Sequence, residues 1–282
     1  MPWLAGPRGE VLAAGGPVQE DEGFFLTESH GSLAGVAVAD PAEDPYAAAL
    51  RLYSGALARL GGSQLYRVWN YVPQINHENN GLENYRAFNA GRHQAFLAAY
   101  GQEFAHRLPA ASALGTTGDR LAVCFLAGPG PARHVENPTQ VPAFQYPAEH
   151  GPTPPSFARG TTVSHSGGRT WYLSGTASIK GHASCGASLA GQARLTFDNV
   201  RLMFQHMDLP PGASGPWKVF LRHRQDLAPA MDAFHKTFPE AADQAIFLEA
   251  DICRSSLLLE VEATLHQSAV PQHADPAPIL SL

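Results

Sequence analysis

No apolar run in this chain approaches the ~20 residues of a membrane-spanning helix, so it does not have the pattern of a helical membrane protein. Charge is sparse and mixed: charged residues make up 16% of the sequence, the net charge is -6, and the 19 Lys and Arg are dispersed without a block. That excludes the basic footprint of a nucleic-acid binder. The three cysteines, Cys124, Cys185 and Cys253, are far apart, odd in number and without a second Cys or His at ligand spacing. They argue against both a disulfide framework and a zinc site. A P-loop, a dinucleotide fingerprint and a Gly-x-Ser-x-Gly elbow are missing too, which disfavours nucleotide and serine-hydrolase chemistry. Cys253 has no His beside it in sequence to activate it as a nucleophile. The opening residues, Met1 to Arg8, lack the basic and apolar regions of a signal peptide. The expectation is a soluble cytoplasmic protein that binds neither nucleic acid nor membrane.

What is present is enough apolar sequence, 44% of 282 residues, for one large or two smaller cores. One succession of elements occurs twice. In the first copy, helices around Pro45–Leu60 and Leu82–Tyr100 enclose a strand at Gln64–Tyr71, and a strand at Arg120–Leu126 follows. In the second, a strand at Thr170–Ile179 precedes a helix at Leu189–His206, a strand at Trp217–Leu221, a helix at Asp226–Thr237 and a final apolar strand. Tyr66-Arg67-Val68-Trp69 parallels Trp217-Lys218-Val219-Phe220, so a duplicated unit is predicted. The segments are an N-terminal extension (1–43), a first half (44–134), a proline-rich connector (135–165), a C-terminal domain (166–265) and a flexible tail (266–282). Proline restricts φ, so the connector can hold Tyr146 or Arg159 over a pocket.

The final strand carries the most informative pattern. With period two, Leu257, Leu259, Val261, Ala263 and Leu265 share one face, and Ser256, Leu258, Glu260, Glu262 and Thr264 the other. Spacing alone also suits a strand with one solvated face. Yet Glu260 lies beside apolar Leu258 and like-charged Glu262, and both neighbours raise a carboxyl pKa toward that of a proton donor. Arginines recur among aromatics: Arg67, Arg86, Arg92 and Arg159. Their forked guanidiniums suit a small dianionic organic acid. Ser174-Gly175-Thr176-Ala177-Ser178 is a small-residue patch that either admits a ligand to the backbone or marks a bulge.

The closing Leu259-Glu260-Val261-Glu262-Ala263, the Trp217-Lys218-Val219 strand and Ser174-Gly175-Thr176 resemble the RidA/YjgF superfamily. Across Tyr66 to Glu262 the chain is similar to the chorismatases, including the enzymes called 3-hydroxybenzoate synthases. The ordered matches include Tyr66 to Asn76, Glu83 to Arg92, Val135-Glu136-Asn137-Pro138, Pro155 to Arg159, Ser174 to Ile179 with Gly181-His182, and Ala250 to Arg254. The resemblance implies an α+β fold of two RidA-like (chorismate-mutase-like) units, mixed sheets with helices packed on one face. It also implies cofactor-free cleavage of the enolpyruvyl ether of chorismate to pyruvate and 3-hydroxybenzoate. The alternatives are a dihydroxycyclohexadiene carboxylate, 4-hydroxybenzoate, or the imine hydrolysis or metabolite binding of RidA proteins.

In that resemblance Glu260 matches the family's acid, and Cys253, seven positions before it, matches the Cys of hydroxybenzoate formers. Arg86, Arg92 and Arg159 become candidate carboxylate anchors, Tyr71, Tyr85 and Tyr146 hydroxyl donors, and Gly175-Thr176 an oxygen site; no metal ligand is implied. A monomer is expected, with a RidA-like homotrimer as the alternative. Thr139 stands where the family pattern has Arg, and Ala183 and Cys185 replace polar residues. Cys253 and Glu260 would face opposite sides of one straight strand, so a turn or bulge has to separate them.

Overall fold

The computed structural model describes all residues except 12–15, 30, 42, 80 and 270–282. The strands of its two large sheets are β1 (Trp3–Ala5), β2 (Gln19–Asp21), β3 (Phe24–Ser29), β4 (Ser32–Val38), β5 (Gln64–Pro73), β6 (Ala110–Thr116), β7 (Ala122–Gly128), β8 (Ala132–Val135), β9 (Gly160–His165), β10 (Gly168–Ala177), β11 (Trp217–Leu221), β12 (Ala245–Glu249) and β13 (Leu259–Ser268). The helices are α1 (Pro45–Ala58), α2 (Asn84–Tyr100), α3 (Leu189–His206) and α4 (Leu227–Thr237). Among the described residues no helix is long and apolar enough to cross a membrane.

The six-stranded sheet runs β2-β3-β4-β7-β5-β6, and the seven-stranded sheet runs β8-β9-β10-β13-β11-β12 with β1 added at its edge. The two orders superimpose element for element, including one parallel pair in each, β5 with β6 and β11 with β12. The repeat is therefore a property of the backbone as well as of the sequence. α1 opens on Asp44, whose side chain accepts from the backbone N–H of Tyr46 and Ala47, with Pro45 in the first turn. Its apolar stripe, Ala48, Leu52 and Ala56, packs with Phe88 and Phe96 of α2 onto Leu65, Val68 and Val72 of β5. In the second unit Phe197, Val200 and Met203 of α3 and Phe234 of α4 cover Val219 and Val261. Helices thus line one face of each mixed sheet, the expected α+β arrangement.

Two boundaries differ from the sequence reading. The extension drawn at 1–43 contributes β3 and β4 to the first sheet and β1 to the second. The connector drawn at 135–165 ends in β9, a hydrogen-bonded strand of the second sheet. Phe24-Phe25-Leu26 lies in β3 and Val36-Ala37-Val38 in β4; the two pair with each other, and β4 reaches the rest of the sheet through β7. Of the expected tail, His266 to Ser268 complete β13, and 270–282 lie outside the described residues.

The sheet faces away from the helices meet each other. β6 approaches β10 closely, with the Ala111 N–H donating to Ser174 Oγ at 2.9 Å. Its small side chains, Ala110, Ala111, Ser112 and Ala113, allow that approach.

Candidate active site

β13 alternates as expected: Leu259, Val261, Ala263 and Leu265 enter the core under α3 and α4, while Glu260 and Glu262 point between the sheets, both about 3% exposed. The carboxylate face is not solvated, because the first unit covers it. The neighbouring carboxyls then take opposite states. Glu262 accepts from Arg67 Nη2 at 2.7 Å and Trp69 Nε1 at 2.8 Å and pairs with Lys218 Nζ at 3.0 Å. Burial alone would raise its pKa, but Lys218 and Arg67 outweigh burial and hold it down to about 2. Arg67 and Lys218 are the matching positions of the duplicated Tyr-Arg-Val-Trp and Trp-Lys-Val-Phe segments, so the repeat brings two cations onto one carboxylate.

Glu260 makes no ion pair among the described residues, and its buried Oε1 has no hydrogen-bond partner. Burial first, and the Glu262 charge second, push its carboxyl up to about 8 against the opposing fields of Arg67 and Arg159. Near neutral pH it is a protonated acid beside an ionised neighbour. It faces a cavity of about 220 Å³, below the ~300–1,000 Å³ of sites for drug-sized ligands. A larger groove of about 650 Å³, between Leu33 and Val163, contains no Arg, Asp or Glu among its described lining residues. The Glu260 cavity instead joins an acid to several cations, Arg86, Arg159 and Arg254.

The backbone of β10 makes room for the acid. Pairing of β10 with β13 shifts register between Leu173 and Thr176, so the small-residue patch is a bulge. A Cβ on Gly175 would lie 2.1 Å from Glu260 Oε1. Thr176 turns its hydroxyl to Ser174 O at 2.8 Å and lines the cavity beside Gly175.

The loop of residues 250–258 supplies the opposite wall. The chain leaves β12 at Glu249, turns at Arg254 with the Leu257 N–H donating to Arg254 O at 3.0 Å, and enters β13 at Leu259. That turn resolves the parity difficulty, since Cys253 and Glu260 do not share a strand and both line the cavity. Burial, followed by the charge of Glu260, pushes the Cys253 thiol up to about 12, so it is a neutral thiol and not a thiolate nucleophile. Arg222 holds the loop by donating to Leu257 O at 2.7 Å, Arg254 O at 3.0 Å and Ile252 O at 3.1 Å. Gln192 of α3 adds bonds to Ser256 O and the Leu258 N–H.

Of the expected anchors, Arg86, Arg159, Tyr85 and Tyr146 line the cavity. Arg159 donates to Tyr146 Oη at 2.6 Å and lies 5.1 Å from the Phe157 ring centre. Its Nε has only a loose 3.9 Å contact with Glu136 Oε2 and no hydrogen bond. Arg86 is at the rim, 3.3 Å from Glu83. Two of the expected residues do not line this cavity. Arg92 is buried behind the cavity, donating to Asn89 Oδ1 at 2.8 Å and lining a separate void of about 20 Å³ that also touches Glu260. Tyr71 belongs with Lys218, Glu262 and Cys124, because its strand faces Glu262 and not the cavity.

Arg254, Asn137, Gln140 and His150 also line the cavity. Arg254 carried a readable signal, directly following Cys253, but its aromatic partner Tyr146, 5.1 Å away, is remote in sequence. Thr139 bonds Asn137 Oδ1 through both its N–H and its hydroxyl and so orients a lining residue from behind.

Residues 10–127 match the profile of the N-terminal part of FkbO/Hyg5-like chorismatases. A 3-hydroxybenzoate synthase of Streptomyces hygroscopicus is 35% identical over 226 residues, 74% of this chain and 65% of the relative. A chorismatase of Streptomyces rapamycinicus is 34% identical over 226 residues, 74% of this chain and 66% of the relative. The matched stretch therefore spans about two thirds of the length of these curated relatives. A crystal structure of a chorismatase aligns with a TM-score of 0.77 and 30% identity, covering 88% of this chain and 78% of the other.

Proposed function

Because this chain belongs to the chorismatase family, we propose that it cleaves the enolpyruvyl ether of chorismate to pyruvate and 3-hydroxybenzoate. The observation that carries the proposal is Glu260, a buried, protonated carboxyl whose Oε1 has no protein partner and which faces a cavity rimmed by arginines.

In this reading Glu260 delivers its proton to the terminal methylene carbon of the enol ether, forming an oxocarbenium-like centre. Carbon is a poor base, so the barrier falls only if the acid is held against that carbon with a matched pKa and without competing water. Burial supplies both conditions. The ionised Glu262 lies behind the acid and favours the developing positive charge. Arg159, Arg86 and Arg254 are the cations available to the two substrate carboxylates. The ring C4 hydroxyl oxygen attacks the cation and loses its proton, closing a cyclic ketal. The bond between the pyruvyl carbon and the C3 oxygen then breaks, leaving that oxygen on the ring, and the ring C4–O bond breaks with loss of the C3 proton, which aromatises the ring and releases the attacking oxygen as the ketone of pyruvate. The two protons lost re-protonate Glu260 and form the phenol, so atoms balance and no water is consumed. All of these side chains come from one chain, so the reading requires no second copy.

The test is to incubate purified protein with chorismate, follow pyruvate with a coupled dehydrogenase and identify the ring product by chromatography. Pyruvate and 3-hydroxybenzoate in equal amounts are expected. No pyruvate would overturn the reading, and a dihydrodiol or 4-hydroxybenzoate as the main product would overturn the assigned fate of the cation.

Cys253 bears on that fate. A neutral thiol on the cavity wall fills volume that water would otherwise occupy. Cys253→Ala opens space beside Glu260, so the fraction of water-trapped dihydrodiol should rise severalfold while total pyruvate changes little. An unchanged product ratio would remove Cys253 from the partition.

A further inference from the structure

We propose that Glu149, His150 and His182 form a binding site for one divalent transition-metal ion of the zinc class at the cavity rim, with a remaining coordination position open to water or a carboxylate. The observation is a closed triangle of three potential ligand atoms. Glu149 Oε1 lies 3.4 Å from His150 Nε2 and 3.2 Å from His182 Nδ1, and the two ring nitrogens are 2.9 Å apart. An ion with bonds of about 2.0–2.1 Å and tetrahedral angles needs its ligand atoms about 3.3 Å from one another. The triangle meets that requirement with shifts of a few tenths of an ångström, and one oxygen with two imidazole nitrogens is a donor set that suits zinc and its neighbours in the first transition row.

The surroundings hold the rings in place. Arg254 donates to His182 O at 2.8 Å, and the His150 ring lies 5.2 Å from that of Tyr146, whose hydroxyl is bound by Arg159. The Arg254 guanidinium is the cation whose charge acts most on the His150 ring. The same guanidinium opposes an incoming cation, so affinity depends on the Glu149 charge and on the fit of the triangle. The three ligands come from the connector and from the turn after Gly181, two segments whose backbones are already joined by the Val141 N–H donating to Gly181 O and the Gly181 N–H donating to Thr139 O, both at 3.0 Å. A bound ion would fasten the connector to the second unit, and His150 also lines the cavity, so the open position lies where a carboxylate of the occupant can reach it.

The experiment is titration of the tag-free full chain with Co²⁺ as a visible probe, followed by displacement with Zn²⁺. One equivalent of Co²⁺ should give the intense bands of a four-coordinate site and be displaced by Zn²⁺. His150→Ala and His182→Ala should each weaken binding by about 100-fold or more, with metal-free circular dichroism and melting unchanged. Cys185→Ser tests the nearest thiol in sequence and should leave binding intact. No stoichiometric binding, binding that survives both histidine changes, or binding lost with Cys185 would overturn the assignment. The readout is metal binding and not turnover, so its failure is distinct from failure of the proposed cleavage reaction.

Discussion

Glu260→Gln should lower pyruvate release from chorismate by about 10³-fold, within the range of a lost general acid, while leaving chorismate binding within a few fold. The amide preserves shape and removes the transferable proton. Activity of the unsubstituted protein should also fall as pH rises through about 8, where the buried carboxyl ionises. Stability provides an independent reading with a definite sign. The folded-state pKa lies above the ordinary carboxylate value, so between about 4.5 and 8 the folded protein retains a proton that the unfolded chain has released. This contribution is fully present below the unfolded pKa and is lost as pH rises through the window. It amounts to a cost on the order of 3 kcal/mol by pH 7. Glutamine has no proton to release, so Glu260→Gln should melt above the unsubstituted protein at pH 7–8, with the difference vanishing toward pH 4. Equal melting at both pH values, or undiminished pyruvate release, would show that Glu260 is not the buried acid described here.

Gly175→Ala should reduce kcat by about 10²-fold, because a misplacement near 1 Å at the reacting group has that scale of effect. The added Cβ would lie 2.1 Å from Glu260 Oε1, 2.7 Å from its Cδ and 3.1 Å from Ser112 Oγ. No real Cβ tolerates the first of these distances, so the carboxyl must move away from the bulge. Overpacking of this kind costs about 1–3 kcal/mol, which a thermal melt will register without loss of the fold. Gly118→Ala is the control, since its new Cβ meets only Thr116 Oγ1 at 3.9 Å and should change neither rate nor melting. A normal kcat in Gly175→Ala would mean that the acid does not depend on this gap in β10.

The fold was legible where the pattern is local. α3 and β11 fall at their expected bounds, and the Arg67 and Lys218 segments occupy equivalent strands, because helix and alternating strand periodicities need only near neighbours to be seen. β6 and β12 were not called as strands. β6 is built of small residues suited to close sheet contact, and β12 is a short apolar run whose parallel partner, β11, lies across an intervening helix. The β3–β4 hairpin carries strand-like apolar pieces but reads as an extension, because its place in the sheet depends on β7, which is distant in sequence. Within the site, Glu260, Cys253, Arg86, Arg159, Tyr85, Tyr146, Gly175 and Thr176 come together, whereas Arg92 and Tyr71 do not line the cavity. An arginine or tyrosine among aromatics has the same local signature whether it faces a cavity, a core or a buried ion pair.

The sequence by itself determined the alternation of the last strand, which puts Glu260 and Glu262 on one side and the core residues on the other, since side-chain direction along a strand depends only on parity. It also carried the duplicated units and the family motifs. Only the tertiary structure decided what the two carboxyls become. Of the two cations that hold Glu262 ionised, Lys218 and Arg67, the second is 195 residues away, and Glu260 stays protonated because the first unit buries it without giving it a cation of its own. The turn at Arg254 that admits Cys253, and the meeting of Glu149, His150 and His182, depend in the same way on contacts between segments far apart in the chain. Charge state follows from burial and distance, and both are set by contacts that no local spacing contains.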